Sequence, residues 1–237
     1  MSEIVEKIRA ELVAGGMPEV RESSRKFFKE EVLLHGLRSA QVKQLANKWW
    51  KQVKGLTKPE ILAMCEEFWR SGYLEEGGVA CEWSAALVNR YLPEDFELFE
   101  GWLGRYVNNW ASCDVFCNHT LGGLIAMYPQ LVGRLPAWTE SENRWLRRGA
   151  AVSLIVPVRQ GKFLPEALAI AKRLLPDPDD LVQKGYGWLL KVAADAGSDN
   201  QQAVFAFILE HKSAMPRTAL RYAVEKMPAH LKKQAMQ

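Results

Sequence analysis

Cysteine is scarce in this chain. Four residues in 237, Cys65, Cys81, Cys113 and Cys117, are too few to staple a protein of this length through a disulfide framework and point to a reducing compartment. Long apolar runs are missing as well, and none approaches the roughly 20 residues that span a bilayer. The opening residues, MSEIVEKIRAEL, carry charges throughout and lack the apolar centre of a signal peptide. The expectation is a soluble cytoplasmic protein with no membrane association. There is no Gly-rich phosphate loop, no nucleophile elbow and no Cys–His pair in a recognisable motif, which removes the usual signatures of nucleotide-driven, serine-hydrolase and thiol enzymes. No stretch alternates apolar and polar residues between turn signals, so strands are not expected.

What is present is apolar and helical. Hydrophobic residues make up 48% and charged residues 25% of the chain, enough to bury a sizeable core and unlike a disordered segment. The net charge of +3 hides an uneven distribution. Lys and Arg outnumber Asp and Glu by 13 to 10 in residues 1–74 and by 15 to 8 in residues 144–237, whereas acids lead by 10 to 3 in residues 75–143. A polyanionic partner would be held mainly by the two ends; chance scatter over solvated helix faces would give a similar tally.

Segments such as Glu60–Trp69 and Ala203–Leu209 place apolar residues at three- and four-residue spacing. Prolines punctuate them at Pro18, Pro59, Pro93, Pro129, Pro136, Pro165, Pro178 and Pro216, each suited to the first turn of a helix or to the break before one. About 12 to 14 helices of ordinary length fit between these marks, with residues 174–180 as the clearest loop. Five segments share one register: LEEGGVACEW, WASCDVFCNH, WLRRGAAVSL, LVQKGYGWLL and MPRTALRYAV. They begin at Leu74, Trp110, Trp145, Leu181 and Met215, in steps of 36, 35, 36 and 34 residues. Such a period, with a second helical segment before each match, predicts an all-α fold, an α-solenoid of paired helices that bury their faces by stacking and curve into a concave surface. Residues 1–237 then form a single domain.

The register exposes its own exceptions. Its fifth position reads Gly78, Asp114, Gly149, Gly185 and Ala219, small residues apart from one carboxylate. Its eighth reads Cys81, Cys117, Val152, Trp188 and Tyr222, and its fourth places the cations Arg148 and Lys184 on consecutive repeats. Trp110 and Asp114 lie four apart and share a helix face. An aromatic wall beside an anion suits a cationic or cation-forming substrate; a core tryptophan followed by an early helical acid near the positive end of the dipole fits the spacing as well. Arg144, Arg147 and Arg148 surround Trp145, and their forks match phosphate oxygens, although an exposed helix start would look the same. Lys184 and Arg217 extend the basic row at repeat spacing, as a groove tracking a nucleic-acid backbone would. Cys113, Cys117 and His119 have no second ligand pair and read as core rather than as a metal site. Trp49, Trp50, Trp69, Trp83 and Trp102 read as core aromatics, and His35, His211 and His230 as isolated surface or packing residues.

The segments NNWASCD, RWLRRGA, QKGYGWLL and PRTALRYAVEK, in this order and spacing, resemble the AlkD-type DNA alkylation-repair glycosylases, a family of HEAT-like repeats. The resemblance runs from the RKFF segment at Arg25 to Lys226. It implies hydrolysis of the N-glycosidic bond of N3- and N7-alkylated purines in double-stranded DNA, with Trp110, Asp114 and Trp188 around the lesion's sugar and Arg148 near the DNA backbone. Lys184, Arg147 and Arg217 would add phosphate contacts. Phe27 stands where the best-known branch has a tyrosine and Arg38 where it has a glutamine, both in the part that contacts DNA near the lesion. No cofactor, no metal and no obligate protein partner are implied, and a monomer is expected. The alternatives are a non-catalytic binder of branched or damaged DNA on the same fold, since some branches of the family lack glycosylase activity, and a protein-interaction solenoid.

Overall fold

Helix boundaries follow the prolines and polar caps. The computed structural model describes residues 3–237. By their own contacts these residues divide into two compact units, one ending at Phe116 and the other running from Cys117 to Gln237. The first holds α1 (Glu3–Gly15), α2 (Pro18–Arg25), α3 (Ser39–Val53), α4 (Lys58–Arg70), α5 (Leu74–Ala86), α6 (Asp95–Arg105) and α7 (Trp110–Val115). The second holds α8 (Gly122–Met127), α9 (Leu135–Trp138), α10 (Arg144–Val152), α11 (Ile155–Arg159), α12 (Leu164–Arg173), α13 (Asp180–Asp195), α14 (Ser198–His211), α15 (Arg217–Ala223) and α16 (Ala229–Met236). The protein is all-helical. Among the described residues, extended pairing is limited to an isolated bridge between Leu33 and Tyr73.

The count of sixteen α-helices among the described residues exceeds the 12 to 14 expected, because two long apolar stretches are subdivided. The helix beginning at Trp110 widens into a π turn over Phe116–Leu121 before resuming as α8, and the stretch after Arg144 breaks between α10 and α11. Pro18, Pro59, Pro136 and Pro165 sit in the first turns of α2, α4, α9 and α12, where the missing N–H satisfies nothing that a helix needs. Thr57 opens α4 with a reciprocal cap: its side chain accepts from the Glu60 amide, and the Glu60 carboxylate accepts from the Thr57 amide at 2.8 Å.

The five register segments fall at helix starts. Leu74 and Trp110 are the first residues of α5 and α7, Trp145 and Leu181 the second residues of α10 and α13, and Met215 lies two residues before α15. In the first unit α5 packs against α3, α4 and α7; in the second α13 packs against α10, α12, α14 and α15. The first core is aromatic. Trp83, Trp102, Phe68, Phe96, Phe99 and Phe116 are fully buried, with edge-to-face pairs such as Phe68–Trp83 at 5.7 Å and Phe99–Phe116 at 5.8 Å, an arrangement that adds to the area these rings bury. Trp49 and Trp69 join this core and Trp50 lies at its edge. The second core is aliphatic and centred on Leu181, Val182, Tyr186, Leu189 and Leu190 of α13. All four cysteines are buried and none is in a disulfide, and burial pushes the Cys65 and Cys81 thiols far above their ordinary range.

Candidate functional site

α7 begins where it does because Asn109 caps it, the side-chain oxygen accepting from the Ser112 amide at 2.8 Å. The turn that follows buries Ser112 and Cys113 and leaves Trp110 and Asp114 half-buried, one turn apart. Among the register's fifth positions, Gly149, Gly185 and Ala219 are buried and Gly78 is half-buried, where a Cβ would press on Val42 Cγ1 at 3.1 Å. Asp114 takes the same register place with a half-buried carboxylate.

Trp110 is held in place. Its indole Nε1–H donates to the Phe27 carbonyl at 3.2 Å, and its ring stacks on Phe28 with centroids 5.6 Å apart and planes 29° apart. The Phe27 side chain itself is 73% exposed. Arg38, at the start of α3, is also exposed; its amide donates to Gln41 Oε1 at 2.9 Å.

A buried polar cluster next to this segment was not foreseen. Glu75 and Glu76, on the first turn of α5, are 3% and 2% exposed. The Glu75 carboxylate accepts from three consecutive amides, those of His35, Gly36 and Leu37, at 2.9, 2.7 and 3.1 Å. Glu76 accepts from Arg9 Nε at 2.7 Å and pairs with His35 Nε2 at 3.2 Å. Burial by itself raises the Glu76 pKa, but the bonds to His35 and Arg9 outweigh it and hold the carboxyl below its ordinary range. His35 is thus buried and engaged, stacked on Tyr73 with ring centroids 4.0 Å apart. Consecutive glutamates at a helix start are common dipole-complementing residues, so only the partner some forty positions upstream reveals their role.

In the second unit the basic row divides into engaged and open members. Arg148 is 5% exposed, and its guanidinium donates to the Leu181 carbonyl. Gly185 allows this passage, since a Cβ there would stand 3.2 Å from Arg148 Cγ. Arg147 donates to Asp177 at 2.6 Å and to the carbonyls of Ser141 and Glu142, both at 2.9 Å. Arg144 pairs with Asp179 at 2.6 Å. Burial raises the Asp179 pKa, but Arg144 and the Leu181 amide prevail and keep it low. Arg144 and Arg147 therefore knit α10 to the 174–180 loop, and Arg148 ties it to the first turn of α13. Lys184 is half-buried and pairs with Asp180 one turn back at 3.0 Å. Trp188 is half-buried on the same helix. Arg217 and Arg221 are exposed on α15 and form no ion pair among the described residues; with Thr218, Tyr222 and Glu225, whose carboxylate pairs with Lys191, they line an open depression. Cys113 and Cys117 are buried whereas His119 is exposed, so the three do not converge. No helix among the described residues is long and apolar enough to cross a membrane.

The family model of DNA alkylation repair enzymes matches residues 8–227, and the chain belongs to that family. No curated protein sequence matches it. Among solved structures it is similar to a protein described as a predicted DNA alkylation repair enzyme from Enterococcus faecalis. The TM-score is 0.80 at 17% identity, covering 90% of this chain and 97% of the other. At that identity the likeness establishes the fold, and the residues carry the functional argument.

Proposed function

We propose that the protein is a DNA glycosylase that hydrolyses the N-glycosidic bond of cationic N3- and N7-alkylated purines in duplex DNA. Family membership supports a role in DNA repair. The observation that carries the finer reading is the half-exposed Trp110–Asp114 pair on α7, in which Asp114 takes a register position otherwise occupied by small residues. An N3- or N7-alkylpurine bears a positive charge and is already a good leaving group, so its departure requires no general acid. As the bond to C1′ lengthens, charge passes to the sugar in an oxocarbenium-like state. The Asp114 carboxylate would stabilise that charge and orient the attacking water, while the Trp110 indole presents an electron-rich face to it. Trp188 is proposed as a further aromatic partner of the sugar. Five helix pairs ending in α5, α7, α10, α13 and α15 are read as HEAT-like repeats.

Phosphate contacts are assigned first to Arg217 and Lys184, and on the first unit to exposed Arg38 and the Phe27 segment. Arg147 and Arg148 would reach a phosphate only by giving up Asp177 and the Leu181 carbonyl. The test is release of 7-methylguanine and 3-methyladenine from methylated duplex DNA by wild type and Asp114→Asn. Release by wild type with a loss of about a hundredfold or more in the variant is expected for removal of a key electrostatic group. DNA binding without release by folded wild type would overturn the glycosylase reading in favour of a non-catalytic binder. Equal release by both proteins would remove Asp114 from the mechanism.

A further inference from the structure

Trp110 is steadied by a piece of chain that lies far from it in sequence. The segment from Phe27 to Leu37 is irregular and rests on α5 and α7. At one end the Phe27 carbonyl accepts the Trp110 indole N–H, and the Phe28 ring stacks on the indole. In its middle, Val32 and Leu34 are buried, and the Leu33 carbonyl accepts from the Leu74 amide at 2.9 Å. At the other end Glu75 collects the amides of residues 35–37. The same end is pressed against the turn after α1: the Met17 amide donates to the Gly36 carbonyl at 3.0 Å, and Arg21 donates to the His35 carbonyl at 3.0 Å. Gly36 has φ +102° and would place a Cβ 2.5 Å from the Met17 carbonyl oxygen. A side chain is therefore excluded there both by backbone conformation and by space.

We propose that this segment is a strap that positions Trp110, with Glu75 as its anchor and Phe28 as its point of contact. A buried carboxylate that accepts three backbone N–H groups is a rigid fixture, because charge-assisted bonds are short and strong and losing any one leaves a polar group unsatisfied. An isolated irregular segment has no ladder or helix to hold it, so the anchor supplies the order that its backbone lacks. The strap presents one carbonyl and one ring to the indole. It fixes both the rotation of Trp110 about its side-chain bonds and the side of the ring left open to a substrate. Glu75 and Phe28 act through Trp110 and touch no substrate. The role in catalysis rests on the glycosylase reading; the positioning of the indole does not.

The experiment follows both. Indole N–H signals are recorded by ¹⁵N–¹H NMR for wild type, Glu75→Gln, Phe28→Ala and Phe28→Tyr, with Trp110→Phe identifying the Trp110 resonance. Single-turnover base release and DNA affinity are measured on the same proteins. The Trp110 indole proton is expected to exchange about tenfold faster or more in Glu75→Gln and Phe28→Ala, while the buried indoles of Trp83 and Trp102 keep their shifts. The rate of base release falls by about tenfold with DNA affinity nearly unchanged, the pattern of misplacement rather than lost binding. Phe28→Tyr, which retains the ring, restores both. An unchanged Trp110 signal in folded Phe28→Ala would overturn the strap. So would a loss of affinity equal to the loss of rate. Absence of base release by wild type would overturn the glycosylase reading alone and leave the indole signals to decide the strap.

Discussion

Gly187 on α13 is the place where a single methyl group should be least tolerated. A Cβ there would stand 2.8 Å from the Ala219 carbonyl oxygen, 2.8 Å from Tyr222 Cβ and 3.2 Å from Ala219 Cα. All three atoms belong to α15 or lie at its backbone, so none can swing aside as the tip of a long side chain would. Replacing an interior helical glycine by alanine ordinarily gains about 1 kcal/mol. Forcing a methylene-sized group into a closed contact costs about 1–3 kcal/mol, and rigid neighbours favour the upper part of that range. Gly187→Ala is therefore expected to lose about 1–2 kcal/mol net, or about 2–8 °C in Tm for a chain of this size. Gly101→Ala in α6 is the matched comparison. Its added Cβ would meet only the far end of Arg105, with Nη2 at 3.0 Å, so the helix-propensity gain of up to about 1 kcal/mol should survive. Urea unfolding followed by tryptophan fluorescence, with thermal melts beside it, reads both. A Gly187→Ala variant as stable as wild type, with Gly101→Ala stabilised, would refute the claim that α13 and α15 meet at backbone distance.

Two further expectations concern charge. Arg217→Ala should reduce the slope of log affinity for DNA against log salt by about 1, because its guanidinium is exposed and makes no ion pair among the described residues. Arg148→Ala should instead lower stability by about 1.5–3 kcal/mol, the worth of a hydrogen bond from a charged donor, here to the Leu181 carbonyl, with the salt slope nearly unchanged; the reverse pattern would show that Arg148 leaves Leu181 when DNA binds. The Glu76 carboxyl is held below its ordinary value of 4.5. Its ionised form therefore contributes stability that is complete above that value and is lost as the pH falls through the lower folded value. The stability gap between wild type and Glu76→Gln should narrow as the pH falls below 4.5, and a gap that stays constant in acid unfolding would refute the assignment.

The fold was legible wherever its cause is local. Proline positions mark helix starts because the missing N–H and fixed φ act within one turn, and the 34- to 36-residue register locates the starts of α5, α7, α10, α13 and α15. The π turn at Phe116–Leu121 was not legible, since no proline or glycine lies within it. The break between α10 and α11 carries a local signal that the proline reading passed over: Pro157, the third residue of α11, has no N–H to offer the Ser153 carbonyl. The small residues of the register's fifth position are now explained by contact: Gly185 admits the Arg148 side chain, and Gly78 admits Val42. Such close approaches are decided by a partner more than thirty residues away.

The prospective site shows the same division between near and far causes. Trp110 and Asp114 could be paired from a four-residue spacing alone, and the capping Asn109 lies beside them in sequence. The segment that holds Trp110 could not be found in this way, because Phe28 and Glu75 reach it through contacts spanning most of the first unit. The arginines around Trp145 carry the sharpest lesson. Three guanidiniums in five residues match a phosphate site in composition, yet Arg144 and Arg147 meet Asp179 and Asp177 while Arg148 meets a carbonyl. The sequence PDPDD that supplies those acids was legible as a loop and not as a partner. A cation's availability depends on whether the fold has already neutralised it. Arg217 forms no ion pair among the described residues, although Glu225 lines the same depression, and is therefore a stronger candidate for holding DNA than the richer cluster.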